Sequence, residues 1–238
     1  MALSIRVAGK SDVGRKRSNN QDSILVSEIH GLFAVADGMG GHSGGEVASA
    51  MAVKTLEKIF GESTGLEVTE RLHQAVQLAN RAIYEYAQAN SQLNGMGTTL
   101  TAAAIDGPWL QIAQVGDSRL YLIRQGQIFQ ITEDHSQVYE LLKAGLISEA
   151  NMASVQRNVI TRSVGYERQV SVDLFTRRMD VGDRYLICSD GLSGMATNEQ
   201  ILQVVSNFDL DRAVYNLVEL ANAQGGEDNV SVVVFEIR

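Results

Sequence analysis

The stretch Leu32-Phe33-Ala34-Val35-Ala36-Asp37-Gly38 decides how this chain folds, because a strand-like apolar segment ends there in an aspartate and a glycine. The same change from apolar segment to aspartate recurs at Asp117 and Asp190, and Asp228 precedes the apolar run 230–234. Strands hold side chains more rigidly than loops do, so carboxylates at their ends can share one centre. Converging carboxylates raise one another's pKa unless cations balance their charge. The pattern therefore predicts a site for hard divalent cations.

Composition narrows the classes of function. The chain has 238 residues, of which 45% are hydrophobic, and a formal net charge of −8 at pH 7. Such a chain can bury a full core, and its acidic balance argues against nucleic acid and against an anionic membrane surface as partners. Residues 1–9 lack the apolar stretch of a signal peptide, and one cysteine cannot form an internal disulfide. We therefore expect a cytoplasmic protein, with a monomer as the default.

The strand-like segments are short and rich in β-branched residues, and tight turns such as Asp106-Gly107-Pro108 join several of them. Such turns favour antiparallel pairing. Strands are predicted over residues 4–9, 23–27, 31–36, 98–105, 109–116, 119–124, 127–131, 170–176, 183–189 and 230–237. No repeat, low-complexity segment or proline-rich linker divides the chain, so we expect one domain over residues 1–238.

Helix signals lie on either side of the consecutive strands. Apolar residues recur at helical spacing from Leu72 to Ala87, and Thr197 and Gln200 have the spacing of a capping box. Helices are predicted over residues 44–60, 67–90, 136–144, 197–206 and 209–223. Because helices flank a run of strands and do not alternate with them, we expect a layered α+β fold, with sheets packed together and helices outside.

Residues 135–168 interrupt the strands between two of the aspartate motifs. One interpretation is a connecting helix pair, which the spacing alone slightly favours. The other is a movable lid beside the site.

The available ligands are those of a hard metal. Asp37 and a carbonyl oxygen exposed at Gly38 could bind such an ion, and no Cys/His cluster has zinc spacing. Two cations about 4 Å apart could share a carboxylate and activate one water as a hydroxide nucleophile. Such a centre suits attack on phosphorus, where positioning and charge stabilisation supply most of the catalysis.

Three further residues fit phosphate chemistry. The Arg17 guanidinium can bind two phosphate oxygens in parallel, although Arg15 and Lys16 beside it are interpreted as solvated loop residues. Asp22 could hold a metal or its water, or could cap a turn. His42, five residues after Asp37, could donate a proton to a leaving alkoxide.

Rival chemistries lack their motifs. The sixth residue after Cys188 is Gly194, so the Cys-x5-Arg loop of cysteine-dependent phosphatases is absent, and Cys188 is expected to pack as a strand residue. The sequence also contains neither a Gly-x-Ser-x-Gly elbow nor a Gly-x4-Gly-Lys-Ser/Thr loop.

Taken together, these motifs resemble those of the metal-dependent Ser/Thr protein phosphatases of the type 2C (PPM) family, in particular their compact bacterial members. The resemblance runs nearly end to end. It rests on the order and spacing of Ser11-Asp12-Val13-Gly14, Arg17-Ser18-Asn19-Asn20-Gln21-Asp22, Asp37-Gly38-Met39-Gly40-Gly41-His42, Gly97-Thr98-Thr99, Val115-Gly116-Asp117-Ser118-Arg119, Ser189-Asp190-Gly191-Leu192 and Gly226-Glu227-Asp228-Asn229-Val230.

The resemblance implies a four-layer α-β-β-α sandwich of two antiparallel sheets flanked by helices, with two Mn²⁺ or Mg²⁺ ions in a cleft at one end. It gives a flap subdomain over about 135–168, and this favours the lid over the connection. The implied metal residues are Asp22, Asp37, Gly38, Asp117, Asp190 and Asp228, with Asp37 bridging two ions and Asp117 joining Asp190 at a third position. The implied catalytic residues are Arg17 for substrate phosphate and His42 as general acid. Gln21 stands where many relatives carry an acidic residue.

The function implied is hydrolysis of phosphoserine and phosphothreonine in proteins by a metal-activated hydroxide, without a phosphoenzyme. Such an enzyme would reverse Ser/Thr kinase signalling, and a cognate kinase is an expected partner. Two alternatives are a catalytically silent relative that binds phosphoproteins and a structural calcium-binding module. A silent relative would usually lack metal carboxylates that this chain retains. A calcium module would need an Asp-x-Asp-x-Asp-Gly loop, which the sequence does not contain.

Overall fold

The structure, a computed structural model, describes residues 4–63, 65–148 and 159–238, except for the side chains of residues 41–43. Its strands form two antiparallel sheets. The first sheet has the order β1-β11-β10-β7-β8, and the second has the order β2-β3-β5-β6-β9, with the short β4 paired to β3. The strands are β1 (Ile5–Asp12), β2 (Asp22–Ser27), β3 (Leu32–Met39), β4 (Gly97–Thr98), β5 (Leu100–Asp106), β6 (Trp109–Val115), β7 (Arg119–Arg124), β8 (Gln127–Gln130), β9 (Asp173–Arg178), β10 (Arg184–Cys188) and β11 (Val230–Ile237).

Helices cover the outer faces of both sheets. They are α1 (Gly41–Gly61), α2 (Val68–Ala89), α3 (Gln137–Lys143), α4 (Asp190–Ser193), α5 (Asn198–Asn207) and α6 (Leu210–Ala223), with 3-10 turns at Glu28–His30 and Ser91–Leu93. One core lies between α1, α2 and the second sheet, and another between α4–α6 and the first sheet. The four-layer sandwich predicted from the sequence is confirmed.

The two sheets pack on each other through a third, central core. Phe33 of the second sheet stacks on Phe235 of the first at 4.6 Å between ring centroids, and Tyr185 stacks on Phe235 at 5.0 Å. All three side chains are fully buried. This aromatic stack joins the sheets, so it fixes how the strand ends of one sheet face those of the other.

Local sequence signals account for the helices. The apolar positions from Leu72 to Ala87 form the buried face of α2. At the start of α5, the Thr197 side chain accepts from the Gln200 backbone, and the Gln200 side chain accepts in return from the Thr197 backbone, as the capping-box spacing predicted.

Every predicted strand has a counterpart, with ends shifted by up to three residues. The sequence did not predict β4 or α4, because a two-residue strand and a four-residue helix carry no periodicity. Cys188 is buried and free, as expected. Within the segment 135–168 the structure contains α3, while residues 149–158 of the predicted flap lie outside the described residues. Among the residues that the structure describes, none of the helices combines the length and apolar character of a membrane span.

Truncating the aromatic stack should destabilise the whole sandwich. Phe235→Ala removes a fully buried ring between the sheets, and we expect it to lower the free energy of unfolding by about 3–5 kcal/mol. Urea denaturation measures this loss. Trp109→Ala is the control, because Trp109 is 43% exposed and its loss should cost less than about 1 kcal/mol. Equal losses in the two variants would contradict this packing.

Candidate metal centre

The strand ends of both sheets meet at one end of the sandwich. Asp22 opens β2 and pairs with Asp37 of β3, Asp117 follows β6, Asp190 follows β10, and Asp228 precedes β11. All but Asp22 line one cleft of about 730 Å³, and Asp22 is buried next to Asp37, its partner in the sheet. Other residues that line this cleft include Arg17, Gly38, Glu46, Thr99 and Ile160. The chain thus brings five distant aspartates together, and Glu46 adds an exposed carboxylate that the sequence analysis did not single out.

The backbone of Asp37 is fixed by two threonines. Its N–H donates to the Thr99 hydroxyl at 2.9 Å, and its carbonyl accepts from the Thr99 N–H at 2.8 Å and from the Thr98 hydroxyl at 2.9 Å. Thr98 in turn forms an antiparallel bridge with Val164, at the end of the segment that follows α3. These bonds fix the backbone from which the central carboxylate projects, whatever the charge of that carboxylate.

Gly38 lets the end of β3 lie directly against the start of α1. A Cβ atom at Gly38 would fall 2.0 Å from the Gly45 carbonyl oxygen. Its N–H donates to the Gln21 carbonyl at 3.1 Å. Only glycine fits this position, because no side chain can enter such a backbone contact.

Asp22 connects the two sheets. It lies opposite Asp37 in the second sheet, and its Oδ2 accepts from the Ser189 hydroxyl at 2.8 Å. Ser189 lies between β10, a strand of the first sheet, and helix α4. Its hydroxyl oxygen accepts from the Ser231 N–H at 3.0 Å. Asp22 is therefore part of a buried polar network, and does not merely cap a turn.

Asn229 holds the loop that carries Arg17. Its side chain accepts from the Gln21 N–H at 2.8 Å and donates to the carbonyls of Val13 and Asn19 at 2.9 and 3.0 Å. It is buried. The sequence analysis quoted this asparagine only as part of the run around Asp228, because nothing local shows which distant backbone groups it satisfies.

Arg17 projects into the cleft and pairs with an aspartate. Its Nη2 lies 2.7 Å from Asp228 Oδ2, and about half of its side chain is exposed. The guanidinium therefore retains solvent-facing donors beside the carboxylates. The side chain of His42, the predicted general acid, lies outside the described residues.

Comparison with known proteins places this architecture in a family. The model of the protein phosphatase 2C family matches residues 9–230. The chain belongs to the protein phosphatase 2C family. The serine/threonine phosphatase stp of Listeria monocytogenes is 40% identical over 236 residues, which cover 95% of this chain and 94% of that protein. This membership confirms the resemblance derived from the sequence motifs.

The family also includes longer proteins. The serine/threonine protein phosphatase PstP of Mycobacterium tuberculosis is 40% identical over all of this chain, which spans only 46% of that protein. A crystal structure of the catalytic domain of PstP in complex with two manganese ions superposes with a TM-score of 0.91 at 39% identity, and covers 99% of each chain.

Burial and mutual repulsion perturb the carboxylates of this family member. Burial, with the charges of Asp190 and Asp228, raises the pKa of Asp22 to about 7. Hydrogen bonds from Ser231 and Ser189 lower this pKa, but by less than burial and the charges raise it. Burial, with Asp190 and Asp134, likewise raises the pKa of Asp117 to about 7. The pKa values of Asp37 and Asp190 are also raised, by burial first and by neighbouring carboxylates second. Such a cluster favours protons or cations.

The carboxylates do not form a ready ligand set as they stand. Among the described residues, no group of three or more Asp, Glu, His or Cys side chains has the geometry to hold an ion. Asp228 turns toward Arg17, and one oxygen of Asp22 toward Ser189. Yet Asp22 Oδ1 and Asp190 Oδ1 are buried without a hydrogen-bond partner. Unsatisfied carboxylate oxygens in a repelling cluster fit a hard divalent cation, which prefers oxygen ligands.

The raised pKa values predict a pH-dependent stability in chelator-treated protein. The folded state keeps protons on Asp117 up to about pH 7, whereas the unfolded chain releases them near pH 4, so folding loses about 1.4 kcal/mol per pH unit for this group in between. Asp117→Asn removes that loss. Its stability relative to the parent chain should therefore rise between pH 4.5 and 7, as measured by urea unfolding with chelator present.

The control for this measurement is Glu57→Gln on the exposed face of α1. Its unfolding free energy should follow that of the parent chain at every pH. Added Mn²⁺ should stabilise the parent chain most at the high end of the pH range, because the carboxylates are then ionised. A constant difference between Asp117→Asn and the parent chain would refute the raised pKa of Asp117, which burial causes first and neighbouring carboxylates second.

Proposed function

We propose that this chain hydrolyses phosphoserine and phosphothreonine in proteins, with a divalent metal pair as cofactor and without a phosphoenzyme. The observation that carries the proposal is the cluster of five aspartates, which includes two buried oxygens without partners beside an exposed arginine. Relatives that align along almost their whole length with this chain bear the name serine/threonine phosphatase. The aspartate cluster supports a site at one end of the sandwich, and the names of the relatives support the activity.

The metal ligands proposed are Asp37, the Gly38 carbonyl, Asp190 and Asp228, with Asp117 and Asp190 at a third position and Asp22 close behind. The manganese complex of PstP supports Mn²⁺ or Mg²⁺ as the ion. Bound ions of this kind supply Lewis-acid activation of water and neutralise developing charge on phosphate. The protein contributes fixed carboxylates from both sheets, which it holds through Thr98, Thr99 and Ser189.

Arg17 is proposed to bind the substrate phosphate. A planar guanidinium can bind two phosphate oxygens at once, and about half of the Arg17 side chain faces solvent. Its present partner, Asp228, is also a proposed metal ligand. A cation held by Asp228 would release the Arg17 guanidinium from this ion pair, and the guanidinium could then bind the substrate phosphate. His42 is proposed as the general acid for the leaving alkoxide, on the sequence motif alone.

The proposed physiological role is reversal of Ser/Thr kinase signalling in the cytoplasm, by a single domain acting as a monomer. The segment 135–168 is proposed as a flap beside the cleft. Two contacts support that role: Ile160 lines the cleft, and Ser136 and Ile160 form an antiparallel bridge.

The direct test is turnover of a phosphothreonine peptide and of an aryl phosphate with Mn²⁺, before and after chelation. Both substrates should be hydrolysed only with metal. Rapid-quench analysis with labelled substrate should find no label on the protein. Activity that survives complete metal removal, or a labelled protein, would overturn the proposal. Tight Ca²⁺ binding without turnover would favour the structural-module alternative.

Asp37→Asn should abolish turnover without unfolding the protein. The change removes the central charge at nearly constant volume, and the backbone bonds to Thr98 and Thr99 remain. We expect a loss of kcat of at least about 100-fold, with unchanged circular dichroism. The matched control is Asp106→Asn, which alters another Asp-Gly pair. Asp106 is the last residue of β5, whereas Thr99 directly precedes the first, so this change should leave kcat within about twofold. A parental rate in Asp37→Asn would exclude its role.

Arg17→Ala should weaken substrate binding more than it weakens metal binding. A lost charge-assisted contact to phosphate should raise KM for the phosphopeptide about 10- to 100-fold. Lys16→Ala, at the neighbouring exposed position, is the control and should change KM by less than about twofold. Steady-state kinetics at saturating Mn²⁺ measures both. Parallel effects in the two variants would show only a general loss of positive charge.

A further inference from the structure

His135 lies outside the carboxylate cluster, but both of its ring nitrogens and both of its backbone polar groups are engaged. The residue is buried, with 4% of its surface exposed. Its backbone N–H donates to the Gly116 carbonyl at 2.9 Å, and its carbonyl accepts from the Thr161 N–H at 2.8 Å. One residue therefore joins the turn before Asp117 to Thr161, within the segment 135–168.

The first ring nitrogen holds the Asp117 turn. His135 Nδ1 accepts from the Gly116 N–H at 3.1 Å. Gly116 has φ +100°, and a Cβ atom there would lie 2.6 Å from the Thr99 side chain. Thr99 is the residue that fixes the Asp37 backbone. The turn that carries Asp117 is thus packed on the support of Asp37 on one side and bonded to His135 on the other.

The second ring nitrogen is linked through Asp173 to Arg162, which lines a neighbouring cavity. Because Nδ1 is an acceptor, the neutral ring carries its proton on Nε2, which donates to Asp173 Oδ2 at 3.1 Å. The other oxygen of Asp173 accepts from Arg162 Nη1 at 2.8 Å. Arg162 and Thr161 line a second cavity of about 560 Å³, which shares Met39 and Ile160 with the carboxylate cleft. Burial, aided by Arg162, lowers the pKa of His135 and favours the neutral ring.

We propose that His135 is a positioning residue whose two ring nitrogens serve two separable properties of the site. The Nδ1 contact sets the Gly116–Asp117 turn and hence the affinity for the divalent ion. The Nε2 contact fixes the positions of Asp173 and of the segment 159–163. It thereby determines the affinity for the peptide part of the substrate. The second half rests on the proposed phosphatase activity, whereas the first half does not.

Two substitutions separate the contacts. In His135→Asn the amide oxygen can take the place of Nδ1 and accept from Gly116, but the side chain is too short to reach Asp173. In His135→Gln the longer amide can take the place of Nε2 and donate to Asp173, but offers no acceptor to Gly116. Both changes preserve a neutral polar side chain of similar size, so a purely structural role predicts similar behaviour.

Three measurements distinguish the variants: exchange of the Gly116 amide hydrogen by NMR in metal-free protein, Mn²⁺ affinity by calorimetry, and KM for a phosphopeptide and for an aryl phosphate. His135→Gln should speed exchange at Gly116 about tenfold or more and weaken Mn²⁺ binding about fivefold or more. His135→Asn should keep both near the parental values, but should raise KM for the phosphopeptide about fivefold or more, with a smaller rise for the aryl phosphate.

If both variants change amide exchange, Mn²⁺ affinity and KM in the same way, the proposal is overturned. It is also overturned if the variants have a lowered melting temperature while all three quantities keep their parental values.

If neither His135 variant folds, Asp173→Ala is the deciding variant, because Asp173 lies on the edge strand β9 with 35% of its side chain exposed. It should raise KM for the phosphopeptide at parental Mn²⁺ affinity, and an unchanged KM would refute the Nε2 half. Absence of turnover in the parent chain would reject the phosphatase proposal instead, while exchange at Gly116 and Mn²⁺ affinity would still test the Nδ1 half.

Discussion

Electrostatic repulsion among the aspartates at one end of the sandwich is the constraint on which the rest of the structure depends. Burial and proximity raise the pKa values of Asp22, Asp37, Asp117 and Asp190 together. A fold that keeps such a cluster must stabilise it otherwise, by protons, by the Arg17 cation or by metal ions. Divalent ions relieve the repulsion most completely at neutral pH, when the carboxylates would otherwise ionise at a cost to folding.

The scaffold makes this arrangement rigid. The aspartates come from both sheets, so their relative position depends on the stack of Phe33, Phe235 and Tyr185 between the sheets. At the cleft itself, hydrogen bonds of buried hydroxyl and amide groups determine the geometry: Thr99 fixes Asp37, Ser189 fixes Asp22, and Asn229 fixes the Arg17 loop. Apolar packing thus sets the coarse geometry and hydrogen bonds set the fine geometry.

Much of the fold and of the candidate site could be predicted from the sequence. The aspartates at strand ends, the capping box at Thr197 and the buried face of α2 follow from local patterns, and the motif order identified the family. The partners of Asn229 and His135 were not predicted, because they lie up to 216 residues away and nothing local shows them. The expectation that carboxylates at strand ends can share one metal centre stays a prediction. In the part of the chain that the structure describes, Asp228 pairs with Arg17 and Asp22 accepts from Ser189.

The most direct test is anomalous diffraction at the manganese absorption edge from crystals grown with Mn²⁺ near pH 8. We predict two strong anomalous peaks in the cleft, with a carboxylate oxygen of Asp37 between them and Asp228 withdrawn from Arg17. Peaks that avoid the cleft, or aspartate oxygens that point away from the ions, would contradict the claim that cations resolve the repulsion.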